Sequence, residues 1–509
     1  MSSAVLAAML VAVLAGCVTG GAGGRKSSPA AESRSPAAPQ AGDVWEQQVS
    51  WLPCDGAELP ENAECAAVAA PLNWDAPDGE RIELALARVK APDGAGRLGS
   101  LLVNPGGPGG SGKGFLPQAL DAIGAEVQAR YDIVGFDPRG VGESTPITCY
   151  ETTEERDAHF AATWPRTLAG FEESLAVAEP FAKACAQNTG PLLGHVDTIS
   201  AAKDMELLRT LLGDEQLNFL GYSYGTLLGA VYAELFPAKV GRLVLDGAID
   251  PSVSASDHEV EQAAGFEAAL GAYLADCVGT EDCPFGGAGQ QALDRIHQLL
   301  VEIEADPLSA GPQDSRELTV PLALNGILIT LYDDESWPFL SQALTWALDY
   351  GDGAALMALS DIYLDRQDGS YQSNQMEAFV AINCLDDRLP SDLASAEAHA
   401  AALAAASPTF GEFWAYGEKQ CEVWPYPQVS QAQPITAAGA APIIVIGTTG
   451  DPATPYHGAV ALAEQLDSGV LITFDGEGHT AYGRSNGCVD QAVDRYLLEG
   501  EAPSQNLAC

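Results

Sequence analysis

Apolar and polar positions alternate along Ile82-Glu83-Leu84-Ala85-Leu86-Ala87-Arg88-Val89, the period of two that turns one face of a strand inward. Leu98–Val103, Tyr131–Phe136, Leu217–Leu220 and Arg242–Leu245 follow as short, apolar, β-rich runs. Glycine-rich turns or helical stretches such as Ser200–Leu212 separate them. Such runs alternating with helices predict a mostly parallel sheet covered on both sides. At Pro251 the pattern changes. Glu259–Cys277, Gln290–Ala305, Pro338–Tyr350 and Leu393–Ala406 are rich in Ala and Leu and read as helices, with no strand between them up to about Pro434. Strand signals return at Pro442–Gly447 and Val470–Phe474, and Val489–Leu498 reads as a closing helix. The simplest account is an α/β core in two parts, residues 43–250 and 435–509, interrupted by a helical insertion at 251–434.

The amino-terminal residues read as an address. Residues 4–16 form one apolar run, too short to span a bilayer permanently but right for the core of an export signal. Leu14-Ala15-Gly16-Cys17 ends it with the shape of a bacterial lipobox, so that residues 1–17 read as a lipoprotein signal with Cys17 as the lipidated residue. No Lys or Arg precedes the run, and the alternative is an uncleaved apolar tail. Residues 18–42, rich in Gly, Ser, Ala and Pro, read as a tether. The expectation is an exported chain held by lipid to the outer face of a bacterial membrane. Of the 11 cysteines, those beyond Cys17 are even in number, which in an exported protein predicts disulfides. Pairing between sequence neighbours is expected: Cys54–Cys65, Cys149–Cys185, Cys277–Cys283, Cys384–Cys421 and Cys488–Cys509. There is no CxxC pair and no Cys/His cluster, so no metal or other cofactor is expected.

Charge narrows the ligands. The chain carries 24 Lys and Arg against 70 Asp and Glu, a formal net charge of −46. That argues against a nucleic-acid partner, which needs clustered basic residues. The acid excess suits cationic or free-amine ligands, or it is a solvated acidic coat.

Candidate chemistry centres on Leu217-Asn218-Phe219-Leu220-Gly221-Tyr222-Ser223-Tyr224-Gly225, a strand running into Gly-x-Ser-x-Gly with a helical run, Thr226–Phe236, behind it. This strand–turn–helix setting lifts a serine hydroxyl out of the sheet edge, so Ser223 is the candidate nucleophile. A serine needs a base. Of the seven histidines, His479 follows a strand by the short loop Asp475-Gly476-Glu477-Gly478, which places it where ligands gather in open α/β sheets. His297 and His399 fall within helices of the insertion and read as surface or packing residues, and His457 follows an apparent helix start at Thr454-Pro455. Asp451, in Gly450-Asp451-Pro452, fits the chain order Ser…Asp…His. Asp246, which also ends a strand, is its rival. An oxyanion hole needs two backbone N–H donors. Tyr224 supplies one, and Asn104-Pro105-Gly106-Gly107-Pro108-Gly109-Gly110 the other, with Gly107 first and Gly106 next.

Asn104–Gly110, Phe136-Asp137-Pro138-Arg139-Gly140-Val141-Gly142-Glu143-Ser144, Gly221–Gly225, Gly450-Asp451-Pro452-Ala453-Thr454-Pro455 and Gly478-His479 together resemble the proline-iminopeptidase-type α/β-hydrolases. Within that type the likeness is closer to the secreted actinobacterial tripeptidyl aminopeptidases, whose TAP-like C-terminal segment resembles residues 400–509. The resemblance covers the chain from about residue 45 onward. It implies an α/β-hydrolase fold with a large helical cap. The implied activity is release of short peptides from free N-termini through an acyl-enzyme. Pro105 stands where proline iminopeptidases usually carry His. The resemblance also implies that Asp386, in Ala381-Ile382-Asn383-Cys384-Leu385-Asp386-Asp387, receives the substrate's amino group. An esterase using the same triad is the competing reading. A non-catalytic binding lipoprotein would need a vestigial triad, and dehalogenase or epoxide-hydrolase chemistry would place Asp at the elbow.

Overall fold

The computed structural model describes residues 43–54, 59–94, 96–280, 282–287, 289–312 and 314–509; the expected signal, Cys17 and the tether lie outside the described residues. Ten strands form one sheet: β1 (Leu52–Pro53), β2 (Glu64–Pro71), β3 (Arg81–Val89), β4 (Gly99–Asn104), β5 (Tyr131–Phe136), β6 (Leu217–Tyr222), β7 (Val240–Asp246), β8 (Ile443–Gly450), β9 (Gly469–Glu477) and β10 (Leu507–Ala508). Their spatial order is β1-β2-β3-β5-β4-β6-β7-β8-β9-β10. The pairings β1/β2, β2/β3 and β3/β5 are antiparallel. From β5 onward every pairing is parallel, as expected of strands buried on both faces.

The expected strands are all present, several extended by one to three residues. β9 continues through Glu477, so the loop before His479 is only Gly478. β2 was not foreseen: its Glu-Cys-Ala-Ala-Val-Ala-Ala-Pro sequence is poor in β-branched and aromatic residues, and pairing with β3 along its whole length overrides that weak local preference.

The helices that matter for the site are α1 (Thr198–Leu212), α2 (Tyr224–Leu235), α3 (Ala255–Cys277), α4 (Gln290–Ala305), α5 (Val320–Leu331), α6 (Trp337–Thr345), α7 (Ala354–Tyr363), α8 (Gln375–Asp386), α9 (Leu393–Ala406), α10 (Tyr456–Gln465) and α11 (Gly487–Glu499). The expected helix Pro338–Tyr350 is α6 followed by a π turn at Trp346–Tyr350. The insertion also holds two small hairpins, Leu308–Ser309 with Glu317–Leu318 and Arg366–Gln367 with Ser370–Tyr371. They correct the expectation of no strand there; two-residue strands leave no periodicity to read. Residues of α3 to α7 build a core of their own around Phe266, Leu300, Ile327, Leu344 and Leu356. Ala378, Ala381, Ile382 and Leu385 of α8 instead join the core that lies against the sheet. Asn374, just before α8, donates to the carbonyls of Gly140 (2.8 Å) and Ile147 (2.9 Å) and accepts from the Gly142 N–H (3.0 Å), pinning the insertion to the loop after β5.

That loop is fixed from below by a buried ion pair. Arg139, fully buried, donates Nε and Nη2 to Asp204 of α1 at 2.7 and 2.6 Å and spends its remaining hydrogens on the carbonyls of Leu72, His195 and Pro71. Trp74 Nε1 also donates to Asp204 (3.0 Å). The ten described cysteines form the five neighbour disulfides expected. Among the described residues no helix is long and apolar enough to cross a membrane.

Removing one partner of a buried, fully bonded pair strands the other. Asp204→Ala should therefore lower stability by about 3–5 kcal/mol, whereas Glu302→Ala, at the exposed Arg295 pair, should change it by less than about 1 kcal/mol. Chemical denaturation measures both, and equal effects would contradict the role given to Arg139.

Candidate active site

β4, β6, β7, β8 and β9 run parallel, so the residues after their last positions gather along one edge of the sheet. Ser223 sits between β6 and α2 with φ 56° and ψ −126°, a conformation that L residues rarely hold. Its N–H donates to the Asp246 carbonyl (2.8 Å), and its own carbonyl accepts from the N–H and hydroxyl of Thr226 (2.8 and 2.6 Å). Two glycines let the turn close. A Cβ on Gly225 would lie 2.9 Å from Asn104 Oδ1, and one on Gly106 would lie 2.5 Å from the Tyr222 carbonyl and 2.9 Å from Ser223 Cβ. The Gly-rich loop after β4 therefore rests directly against the serine.

His479 presents Nδ1, and not Nε2, to Asp451, 2.9 Å from each carboxylate oxygen. Ser223 and His479 line the same cavity. Asp451 is further held by the N–H groups of Ala453 (3.0 Å), Thr454 (2.9 Å) and Thr480 (3.2 Å) and by the Thr454 hydroxyl (3.0 Å). The same hydroxyl lies 3.2 Å from His479 Nδ1. The His479 N–H donates to the Tyr332 carbonyl (2.8 Å), and the Tyr332 ring meets the imidazole edge-on at 5.3 Å. The insertion thus touches the histidine directly.

Asp246 takes another position. Its buried carboxylate accepts from the N–H groups of Ala481 (3.0 Å to each oxygen) and Tyr482 (2.8 Å), not from the imidazole. Burial pushes its pKa up to about 6, with those N–H bonds opposing. Asp246 therefore straps the elbow, through its backbone carbonyl, to the segment after His479, through its side chain.

The loop after β4 offers one N–H fewer than its sequence suggests. Gly106 gives its N–H to Asn104 Oδ1 (3.0 Å), leaving Gly107, which is exposed on the cavity wall, as the candidate partner of Tyr224. Asp386 lies on the same cavity, but its oxygens accept from the Thr198 N–H (2.9 Å) and hydroxyl (2.5 Å) at the start of α1. Burial pushes its pKa up to about 7, against those hydrogen bonds. His297 and His457, passed over in the sequence, pair with Glu412 (3.3 Å) and Glu261 (2.9 Å), away from the triad. Thr454, Tyr332 and Asn374 were not singled out. Thr454 stood within the Asp-Pro-Ala-Thr-Pro motif, but nothing local to Tyr332 or Asn374 marks their long-range contacts. Among the described residues no group of His, Cys, Asp and Glu could hold a metal ion.

The cavity has a volume of about 1630 Å³, larger than the roughly 300–1,000 Å³ of most small-molecule sites. Residues of the sheet edge (Gly107, Ser223, His479) and of the insertion (Glu259, Tyr332, Asn383, Glu418) share its walls.

Fold and site together are those of a serine hydrolase of the α/β-hydrolase type. Residues 407–509 match the family described as TAP-like protein. Over 91% of its length the chain is 36% identical to serine protease Hip1 of Mycobacterium tuberculosis, covering 91% of that protein. It is 38% identical to carboxylesterase B of the same organism, covering 91% of this chain and 90% of that protein. To the tripeptidyl aminopeptidase of Streptomyces lividans it is 30% identical, covering 91% and 86%. The chain belongs to this family of TAP-like α/β-hydrolases.

The two aspartates are expected to differ in weight, since only Asp451 meets the imidazole. Asp451→Asn should lower kcat/KM by roughly 10²–10⁴-fold by disturbing the tautomer of His479. Asp246→Asn, which loosens a strap but leaves the imidazole's partner, should cost about tenfold or less. Steady-state kinetics on both folded variants measures the difference, and a larger loss in Asp246→Asn would reverse the assignment.

Proposed function

We propose that this chain is an extracytoplasmic serine exopeptidase that releases short peptides, tripeptides in the first instance, from free N-termini. The observation that carries the reading is the cavity: Ser223 and His479 share it with an insertion side that bears Glu259, Asp386, Asp387 and Glu418. An insertion lying over the site would keep a long chain from running through on both sides, and carboxylates on that side attract an ammonium. The names of the Streptomyces and Hip1 relatives agree with peptide substrates.

In this reading His479 Nε2 takes the Ser223 proton as Oγ attacks the scissile carbonyl. The N–H groups of Gly107 and Tyr224 receive the developing oxyanion. The tetrahedral intermediate collapses as His479 returns the proton to the leaving amine, giving an acyl-enzyme and a shortened peptide. His479 then deprotonates a water that attacks the ester, and Ser223 recovers its proton as the short peptide acid departs. Asp451 holds the imidazole with Nδ1–H toward itself and stabilises the imidazolium formed in both halves. Asp386, which resembles a position used by the family, contributes charge at the amino-group end.

Export rests on the apolar run before Cys17 and on the disulfides, which persist in oxidising compartments. Lipid on Cys17 would hold the enzyme to the outer face of the cell membrane, and more than one acyl chain would be needed for stable attachment. A second reading, an esterase acting on small or lipid esters, is favoured by one observation, the 38% identity to a relative named carboxylesterase B.

Two measurements follow. Ser223→Ala should abolish acyl-enzyme formation, seen as loss of the covalent adduct by intact mass spectrometry. Tripeptidyl amides with a free amino group should be turned over at least tenfold more efficiently than their N-acetylated forms. Equal turnover of the two, alongside efficient ester hydrolysis, would leave the esterase reading in place.

A further inference from the structure

The insertion turns an apolar face toward the site. Ile329, Tyr332, Ile362, Tyr363 and Met376 are partly buried side chains packed against the insertion's own core, and all five line the cavity that holds Ser223 and His479. Ile329 and Tyr332 stand three residues apart at the end of α5, hence on one side of it. Ile362 and Tyr363 close α7, which lies so near α5 that a Cβ on Gly326 would press into the Leu356 carbonyl. Met376 opens α8. Phe379, one turn further along α8, lines the same cavity and keeps 38% of its surface exposed. Large apolar side chains gathered on a cavity wall mark a place for an apolar ligand.

Two contacts fix this face beside the reacting atoms. Tyr332 takes the His479 N–H on its carbonyl (2.8 Å) and sets its ring edge-on to the imidazole, 5.3 Å between centroids. The first turn of α8 lies on the Gly-rich loop after β4. A Cβ on Gly109 would run into the Gln375 carbonyl, and it would lie 3.0 Å from the Phe379 nitrogen and 3.2 Å from Ala378 Cβ. Gly109 follows closely on Gly107, the candidate oxyanion donor. The face is therefore held to the base and to the oxyanion loop at once, and these are the groups that flank a scissile amide.

The base also gives a direction. His479 has to stand beside the leaving nitrogen to protonate it, so a side chain packed on the imidazole neighbours the residue that leaves. α8 points the same way. Met376 and Asp386 are about 15 Å apart along its axis, and the carboxylates Asp386 and Asp387 stand at the far end. An acyl part whose amino group points toward those carboxylates leaves the Met376 end for the peptide beyond the cleaved bond.

Resting on the exopeptidase reading for that direction, we infer that Ile329, Tyr332, Ile362, Tyr363, Met376 and Phe379 form the subsite for the first residue of the leaving peptide. The ligand class is a bulky apolar side chain, aliphatic or aromatic. Burying such a side chain favours it over glycine, which has nothing to bury, by roughly tenfold or more. The selection acts in acylation alone, because the leaving residue has gone before the acyl-enzyme meets water.

The test runs the first half of the reaction backwards. An amine that attacks the acyl-enzyme enters through the site that the leaving amine vacated. Its nitrogen bonds to the ester carbonyl carbon, His479 accepts its proton, and the ester bond breaks as that proton passes to Ser223. A tripeptidyl methyl ester serves as acyl donor with equal concentrations of phenylalaninamide and glycinamide, and chromatography reads the ratio of the two tetrapeptide amides at early times. Taking the ratio within each variant cancels partial loss of folded enzyme. The unaltered enzyme should favour phenylalaninamide by roughly tenfold or more, and Tyr332→Phe should keep that preference. Tyr332→Ala, which retains the backbone carbonyl on His479, should bring it below about threefold. Tyr363→Ala, on α7, should also lower it, and takes the place of Tyr332→Ala if that variant does not fold. Equal incorporation of the two amides by the unaltered enzyme, or a preference that the alanine variant leaves unmoved, overturns the inference. Equal acylation by the free and N-acetylated donors would instead overturn the exopeptidase reading, while the amide ratio still decides the subsite.

Discussion

Ser223 holds a backbone conformation worth of order 1–3 kcal/mol of strain, and the surrounding structure is arranged so that it cannot relax. Its N–H is tied to the Asp246 carbonyl and its carbonyl to Thr226. The loop after β4 presses on it across Gly106, where even one added carbon would meet the Tyr222 carbonyl at 2.5 Å. The elbow is thus shared property: β6 and α2 supply the turn, β7 supplies the tie through Asp246, and β4 supplies the facing loop. Asp246 extends the same constraint to His479 by holding Ala481 and Tyr482. Ser223 and the segment after His479 are consequently tied to one another through a single buried residue, Asp246.

The insertion is coupled to this arrangement instead of merely covering it. Tyr332 accepts the His479 N–H, Gln262 reaches the Ala453 carbonyl, and Asn374 locks onto the loop after β5. That loop is itself anchored by Arg139 and Asp204. Movement of the insertion would therefore be felt at the histidine and at the Asp451 loop.

What the sequence disclosed depended on how local the cause was. The elbow was legible because strand, Gly-x-Ser-x-Gly and helix are contiguous. Asp451 and His479 were legible because each follows a strand end, and the disulfides because each joins neighbouring stretches of one part of the fold. α8 was not read as a helix: Glu377 and Asp386 are buried beside Ala378, Ile382 and Leu385, so no clean apolar stripe marks it. β2 was hidden by its alanines. His399 looked like a packing residue in an Ala-rich helix, and only folding brings Glu259 and Glu418, 140 and 19 residues away in the chain, to its two ring nitrogens. One acid among 70 carries no local signature of that kind.

The strained turn at Ser223 should make this serine the enzyme's nucleophile. Labelling with a fluorophosphonate, which reacts only with an activated serine, followed by peptide mapping tests it most directly. One adduct per chain is expected, on the peptide containing Ser223, and none in Ser223→Ala. An adduct on a different serine, or full hydrolytic activity without labelling of Ser223, would contradict it.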